Sequence, residues 1–405
     1  MPTYSNHLES LQDKGLYRSC RVLASDIEGL SWPVVQVQGA ESSGITRSVV
    51  DFCSNNYLGF AQHPRLIAAS VRAAQKEGVG ARAARLVSGT LRGVQGLEQL
   101  VAEFKQTESA LVMNSGYQAN VSILQALLGR NDRVFMDRLN HASLVDGAVL
   151  SRAKLFRYRH SDMADLANAL AKDAVRQIDD CKRWIVTDSV FSMDGDTIEP
   201  VFQELVALAR QYDAYLLLDE AHATGLWGVK RSSGLFEHLL ESSPQGVATW
   251  AREHVVLMGT FSKALGGFGA YVAGATTLIQ MLVNHARGFI YSTALPPPVI
   301  AVASESISVL QEESGHQQAL WDNVAYFLPK LNSLLAANQL PVSPSTTQII
   351  PVILGERTMV VSQELLEKGF FIQGIRSPTV PLGEERLRIS LSSSVSGSSG
   401  KSGML

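Results

Sequence analysis

From residue 64 to about residue 278 the chain alternates short apolar runs with longer stretches whose apolar positions recur at the helical period. The runs fall at 110–113, 134–136, 184–187, 215–218, 255–258 and 270–273. Helical stretches lie among them, as at 119–128, 163–171 and 202–212. Runs this short and this continuously apolar read as strands buried on both faces. Their alternation with helices predicts βαβ units and a mainly parallel sheet between helices. After Pro296-Pro297-Pro298 the pattern changes to a long helical segment over 299–337, with strand-like runs at 349–353 and 386–391. Ahead of the alternating region come an amphipathic helix and loop over 6–30 and short strands at 34–37 and 49–53. The pattern therefore predicts an N-terminal helix and strands over 1–60, a large α/β domain over 61–295 and a smaller α+β domain over 296–391. The Ser/Gly-rich tail 392–405 is expected to be disordered.

Length agrees with this division, since 405 residues exceed what one core usually organises. Composition acts mainly by exclusion. Hydrophobic residues make up 46%, charged residues 18%, and the formal net charge is -3, so no basic stripe favours nucleic acid or an anionic membrane. No apolar run approaches a membrane span, and the polar N-terminus lacks the pattern of a secretory signal. Cys20, Cys53 and Cys181 are far apart and odd in number, which argues against a disulfide framework or a paired-cysteine zinc site. These features predict a cytoplasmic protein. The histidines show no metal-binding spacing, and Gly78-Val-Gly80 and Gly267-Phe-Gly269 do not complete a dinucleotide fingerprint.

Candidate chemistry gathers just past the apolar runs. In Gly259-Thr-Phe-Ser-Lys-Ala-Leu-Gly-Gly267, Lys263 stands between hydroxyl residues and glycines. That setting suits a partly desolvated amine that forms a Schiff base, with Thr260 and Ser262 offering hydroxyls to a phosphate. In Leu216-Leu-Leu-Asp-Glu-Ala-His222, Asp219 closes a buried run, where ligands bind in open α/β sheets. A protonated pyridine nitrogen is the partner that would explain it, and His222 could reach the ring hydroxyl. Asn114-Ser-Gly-Tyr-Gln-Ala-Asn120 opens a helix and would present backbone N–H groups to a phosphate. His141, in Leu139-Asn-His-Ala-Ser-Leu144, could stack on a flat ring. Taken singly, each piece also reads as a loop lysine, a helix cap, a capped turn or a structural histidine.

Together they resemble the α-oxoamine synthases, a family of fold-type I pyridoxal-phosphate enzymes, over residues 15–391. The landmarks are Ser54-Asn-Asn-Tyr-Leu-Gly59, Asn140-His-Ala-Ser143, Thr187-Asp-Ser-Val-Phe-Ser-Met-Asp-Gly195, Asp219-Glu-Ala-His222 and Thr260-Phe-Ser-Lys263. The resemblance implies an acyltransferase that joins a small amino acid to an acyl thioester carried by CoA or a carrier protein. By the same resemblance Lys263 holds the cofactor and acts as base, Asp219 pairs with the ring nitrogen, His222 with the ring oxygen, and His141 stacks on the ring. Gly116, Tyr117, Thr260 and Ser262 would hold the phosphate, with Asp188 and Ser192 in the cofactor-side loop. Arg388 would bind the amino-acid carboxylate through its planar fork, and Asn55 is on the substrate side. The family implies a homodimer with a shared site, in which Ser292 and Thr293 reach the neighbour's phosphate.

Two patterns, Phe289-Ile-Tyr-Ser-Thr-Ala-Leu-Pro-Pro297 and Ile375-Arg-Ser-Pro-Thr-Val-Pro381, are most similar to the branch of biotin synthesis that condenses L-alanine with a pimeloyl thioester. In that branch Arg376, Thr379 and Arg18 match substrate-side residues. The alternatives are the branches using glycine with acetyl-CoA, glycine with succinyl-CoA or serine with palmitoyl-CoA, a non-catalytic subunit of this fold, and a nicotinamide oxidoreductase. Three departures stand out. Ala81, Ala83 and Ala84 fall within a stretch where relatives often carry Gly-Ser, Val94 stands where they commonly have His, and the Ser/Gly tail follows where they continue into a terminal helix.

Overall fold

Each apolar run between 110 and 273 forms a strand of one seven-stranded sheet. Numbered within this sheet, the strands are β1 (Ser109–Met113), β2 (Arg133–Asp137), β3 (Lys154–Tyr158), β4 (Arg183–Asp188), β5 (Ala214–Asp219), β6 (Val255–Thr260) and β7 (Ala270–Gly274). Their order is β1-β7-β6-β5-β4-β2-β3. From β6 to β3 all pairings are parallel, and β7 runs antiparallel to both β6 and β1. The molecule is a computed structural model that describes residues 4–24, 32–38, 46–175, 180–228 and 233–395.

Strand β3 is the one the apolar pattern does not announce. Its sequence Lys-Leu-Phe-Arg-Tyr places charges at 154 and 157 and it stays partly exposed. That is the composition of an edge strand, which meets water and discourages further pairing. Helix Gly116–Leu127 packs on Ala142–Ser151, and Ile123, Leu124, Leu144 and Ala148 join Val134, Val186 and Leu217 of the sheet in one core.

The chain divides into two units, Asn55–Trp321 and Met1–Ser54 with Asp322–Leu405. This differs from the boundaries expected at 60 and 295. Helix Pro297–Glu312 packs on Pro64–Glu77 and Arg92–Lys105 and buries Ile300, Ala303, Ile307 and Leu310, so it belongs to the larger unit. The expected helical segment 299–337 is two helices, Pro297–Glu312 and Gly315–Ala337, and the boundary falls inside the second.

In the smaller unit, strands Leu23–Ala24, Val34–Gln38 and Thr46–Asp51 form a sheet completed by Phe370–Phe371, which lies parallel to Thr46–Asp51. That pairing is why the N-terminal strands share a unit with C-terminal sequence. Val35, Val37, Val49, Leu366 and Phe371 form its apolar cluster. A second sheet joins Ile349–Ile353, Arg386–Ser390 and Gly374–Ile375. Order extends past 391: Ser392 and Ser393 are buried, and Asn323 Nδ2 donates to the Ser392 carbonyl at 2.9 Å. The remaining tail, 396–405, and the loop portion 25–31 lie outside the described residues. Among the described residues no helix is long and apolar enough to cross a membrane.

Candidate active site

The parallel strands deliver polar side chains to one edge of the sheet. Strands β2, β4, β5 and β6 end in Asp137, Asp188, Asp219 and Thr260, each buried. This carboxyl edge is where ligands bind in open parallel sheets. Asp188 and Asp219 are register partners on neighbouring strands. Asn120, on the first turns of helix Gly116–Leu127, donates Nδ2 to Asp219 Oδ2 at 2.7 Å, and the Ala221 amide donates to Oδ1 at 2.8 Å. The carboxylate plane is thereby fixed.

The turn after β5 carries His222, and the loop after β6 carries Lys263. Lys263 Nζ lies 2.8 Å from His222 Nε2, and the Tyr57 hydroxyl lies 2.8 Å from His222 Nδ1. The Tyr57 O–H donates to Asn55 Oδ1 at 2.9 Å. With that proton committed, His222 Nδ1–H must donate to the phenol oxygen, which leaves Nε2 as the acceptor facing Lys263. Loop curvature behind the lysine depends on Gly266, whose φ is +64°; a Cβ there would sit 2.4 Å from the Phe60 carbonyl carbon. Glycine is required on both counts.

Thr260 Oγ1 donates to the Gly269 carbonyl at 2.7 Å, accepts from the Ser262 amide at 3.1 Å, and lies 2.7 Å from Ser262 Oγ. Gly116 and Tyr117 open their helix, where first-turn N–H groups have no intrahelical acceptor; Ser115 caps the Gln118 amide at 3.2 Å. The Tyr117 hydroxyl donates to Asp146. Ser292 and Thr293 border this same helix start: Gln118 Nε2 donates to Ser292 Oγ at 2.6 Å, and Asn114 Nδ2 to the Thr293 carbonyl at 2.8 Å.

His141 caps the N-terminus of helix Ala142–Ser151. Its amide donates to Asp188 Oδ2 at 2.9 Å, and its Nδ1 lies 2.7 Å from Ser143 Oγ. Desolvation lowers the His141 pKa, Asp219 opposes this, and Lys263 reinforces it, so the three share one local field. Burial pushes the Asp188 carboxyl well above the usual range and the Asp219 charge adds to it, against the His141 N–H and Lys263. Ser192 lies in the turn after β4, within the hairpin closed by the Val190–Thr197 bridge.

The structure thus brings Asn55, His141, Asp188, Asp219, His222 and Lys263 into one linked set, with Thr260 and Ser262 on the lysine loop. Sequence reasoning passed over Tyr57 and Asn120. Both lie inside stretches it had singled out, but their bonds to His222 and Asp219 span 165 and 99 positions. The arrangement fits pyridoxal phosphate. Asp188 and Asp219 are adjacent buried carboxylates, Asn120 Oδ1 is buried with no hydrogen-bond partner among the described residues, and the Lys263 amine is near enough to act on Asp188.

The other candidates belong to the smaller unit. Arg18 Nη2 donates to Thr379 Oγ1 at 3.4 Å, and Arg376 donates to the Gly15 and Tyr17 carbonyls. Arg18, Arg21, Arg376 and Thr379 line a cavity of about 570 Å³. Arg388, mostly buried, donates Nη1 to Ser390 Oγ at 2.8 Å.

Residues 47–398 match the aminotransferase class I and II family. The chain is 45% identical over 393 residues to 8-amino-7-oxononanoate synthase of Pelobacter propionicus, covering 95% of this chain and 92% of that one. It is 46% identical over 396 residues to the synthase of the same name from Citrifermentans bemidjiense, covering 96% and 93%. Among solved structures, Sphingomonas wittichii serine palmitoyltransferase aligns with a TM-score of 0.83 at 30% identity, over 97% of this chain and 92% of that one. The 8-amino-7-oxononanoate synthase of Francisella tularensis aligns at 0.69 and 26%, over 86% and 93%. The chain belongs to the aminotransferase class I and II family of fold-type I enzymes, as a pyridoxal-phosphate-dependent acyltransferase of the α-oxoamine synthases with 8-amino-7-oxononanoate synthases among its relatives.

Proposed function

We propose that this enzyme condenses L-alanine with a pimeloyl thioester, of CoA or a carrier protein, to give 8-amino-7-oxononanoate for biotin synthesis. The observation that carries the reading is the Asn55–Tyr57–His222–Lys263 chain, in which an amine faces an imidazole acceptor beside buried Asp219. When bound, pyridoxal phosphate supplies an aldehyde for the amino acid's amine and a cationic ring that draws electrons from its α carbon.

The chain's own groups do the rest. Asp219, oriented by Asn120, would hold the ring nitrogen, with His141 at the ring face and His222, next to Lys263 Nζ, at the ring oxygen. Asp188, at the end of β4, and Ser192, in the turn after it, would lie on the cofactor side. Gly116, Tyr117, Thr260 and Ser262 would hold the phosphate, and in a homodimer Ser292 and Thr293 would serve the phosphate of the second subunit. Arg388 takes the amino-acid carboxylate, and Asn55 is a substrate-side residue of the larger unit. Arg18, Arg376 and Thr379 receive the acyl chain at their cavity. Lys263 removes the α proton, the α carbon bonds to the thioester carbonyl, and the thiol departs. The carboxylate then leaves as CO2, and Lys263 returns a proton to the carbon.

Free thiols at Cys20, Cys53 and Cys181 suit the cytoplasm, where we place the enzyme. Serine palmitoyltransferase structures align with the higher TM-score, but a shared fold hosts many substrates, and the 45% identity supports the alanine branch. The test is mass spectrometry of products from alanine, glycine or serine, each offered with pimeloyl, acetyl, succinyl or palmitoyl thioesters. Alanine with pimeloyl donors should dominate. A preferred product from any other pair would overturn the substrate assignment.

A further inference from the structure

His160 lies in the turn after edge strand β3, and both of its ring nitrogens face carboxylates. Nδ1 is 3.1 Å from each oxygen of Asp137, and Nε2 is 2.7 Å from Asp196 Oδ2. Ionised carboxylates only accept, so both nitrogens donate and the ring is an imidazolium. Burial alone would lower its pKa, but the two aspartates outweigh it and push it up to about 10. The Phe191 ring packs against the imidazole at 4.4 Å and 81°.

Each aspartate belongs to a different loop. Asp137 ends β2 and accepts the amides of Leu139 (2.8 Å, at Oδ1) and Ser161 (2.8 Å, at Oδ2), which shapes the turn leading to His141. Asp196 belongs to the hairpin that carries Ser192: its carbonyl accepts the Phe191 amide at 3.0 Å, and the Gly195 amide donates to the Phe191 carbonyl at 2.9 Å. A flat cation with donors on two edges can span these loops. A lysine offers one point and a glutamine one fork without charge.

We propose that His160 is a positioning residue, a charged clamp that fixes the His141 turn against the Ser192 hairpin so that both meet pyridoxal phosphate in register. This rests on the placement of His141 and Ser192 at the cofactor given above. The clamp itself touches neither cofactor nor substrate.

The variants are His160→Gln, Asp196→Asn and the pair combined. In cofactor-free protein, amide exchange across 137–141 and 190–197 should speed up about tenfold in each single variant while β5 is unchanged. On reconstitution, pyridoxal phosphate should bind about tenfold more weakly, and its visible circular dichroism, which reports ring placement, should lose intensity. The double variant should be no worse than His160→Gln alone, because Asp196 acts on the clamp only through His160. Wild-type exchange in both loops together with wild-type cofactor affinity would overturn the clamp. Should His160→Gln fail to fold, Asp196→Asn decides alone: it removes one arm and keeps Asp137 paired, so unchanged exchange at 190–197 sinks the idea. A wild-type protein that takes up no pyridoxal phosphate would instead sink the placement of the cofactor, while the exchange measurement still judges the clamp.

Discussion

Replacing Tyr57 by Phe isolates the hydrogen-bond chain behind Lys263. The side chain is fully buried, and its hydroxyl serves Asn55 at 2.9 Å and His222 at 2.8 Å. Phenylalanine keeps the ring and deletes the hydroxyl, and those two bonds with it. Removing a hydroxyl shared by two buried partners costs about 1–3 kcal/mol. The functional consequence lies in the tautomer. Without the phenol oxygen, His222 is no longer obliged to keep its proton on Nδ1, and a proton on Nε2 would turn a donor toward Lys263 Nζ. At about 1.4 kcal/mol per tenfold, kcat should fall about 10–100-fold, with KM for the amino acid nearly unchanged. The assay is thiol release against pH, beside single-turnover measurement of α-proton exchange. Wild-type kcat together with wild-type α-proton exchange would refute the reasoning.

Lys263→Ala should abolish turnover and leave no protein adduct after borohydride reduction, read by mass spectrometry. Lys105→Met tests a buried structural cluster, where the fully buried ammonium contacts Glu220 and, at 2.7 Å, Glu237. Stranding those carboxylates should cost about 3–5 kcal/mol in urea denaturation, and a loss under about 1 kcal/mol would contradict the assignment. Glu237 is lifted to about 7 by burial, with Lys105 lowering it and Glu220 raising it. A raised folded-state pKa means the native state holds this proton more tightly than the unfolded chain. Its contribution is therefore full below the unfolded value near 4.5 and is lost as pH rises through about 7. Glu237→Gln mimics the protonated form, so it should gain about 1–3 kcal/mol relative to wild type between pH 5 and pH 8; parallel urea midpoints would refute this.

What the sequence discloses about the fold follows burial. Strands β4, β5 and β6 are covered on both faces and read as unbroken apolar runs, whereas edge strand β3 carries Lys154 and Arg157 and reads as loop. The unit boundaries were illegible because Thr46–Asp51 pairs with Phe370–Phe371, more than 300 positions away, and no local period encodes that. At the site, Lys263, Asp219 and His222 were visible as polar residues at the ends of apolar runs. Tyr57, Asn120 and His160 were not, since each is defined by a partner on another element. Asn120 shows the limit well: four residues after Gly116, it reads as a helix residue until that helix lies over the end of β5.

Ending three neighbouring parallel strands in aspartate creates an electrostatic problem that the rest of the site answers. Strands about 5 Å apart bring Asp137, Asp188 and Asp219 to one buried edge, where like charges repel. Asp137 has a local counter-ion, because it shares the His160 imidazolium with Asp196. Asp219 is held by neutral donors, Asn120 and the Ala221 amide, which orient it without cancelling its charge. Asp188 receives one amide from His141 and is left with the raised pKa. The pull on a proton or a cation therefore lies between β4 and β5, beside Lys263 and His141, and not at β2. A site that pairs its outer aspartate with a built-in cation while leaving the inner two to hydrogen bonds selects for a ligand that brings positive charge to that one position. A pyridinium nitrogen does so, and its gain is largest where two carboxylates already face each other out of water.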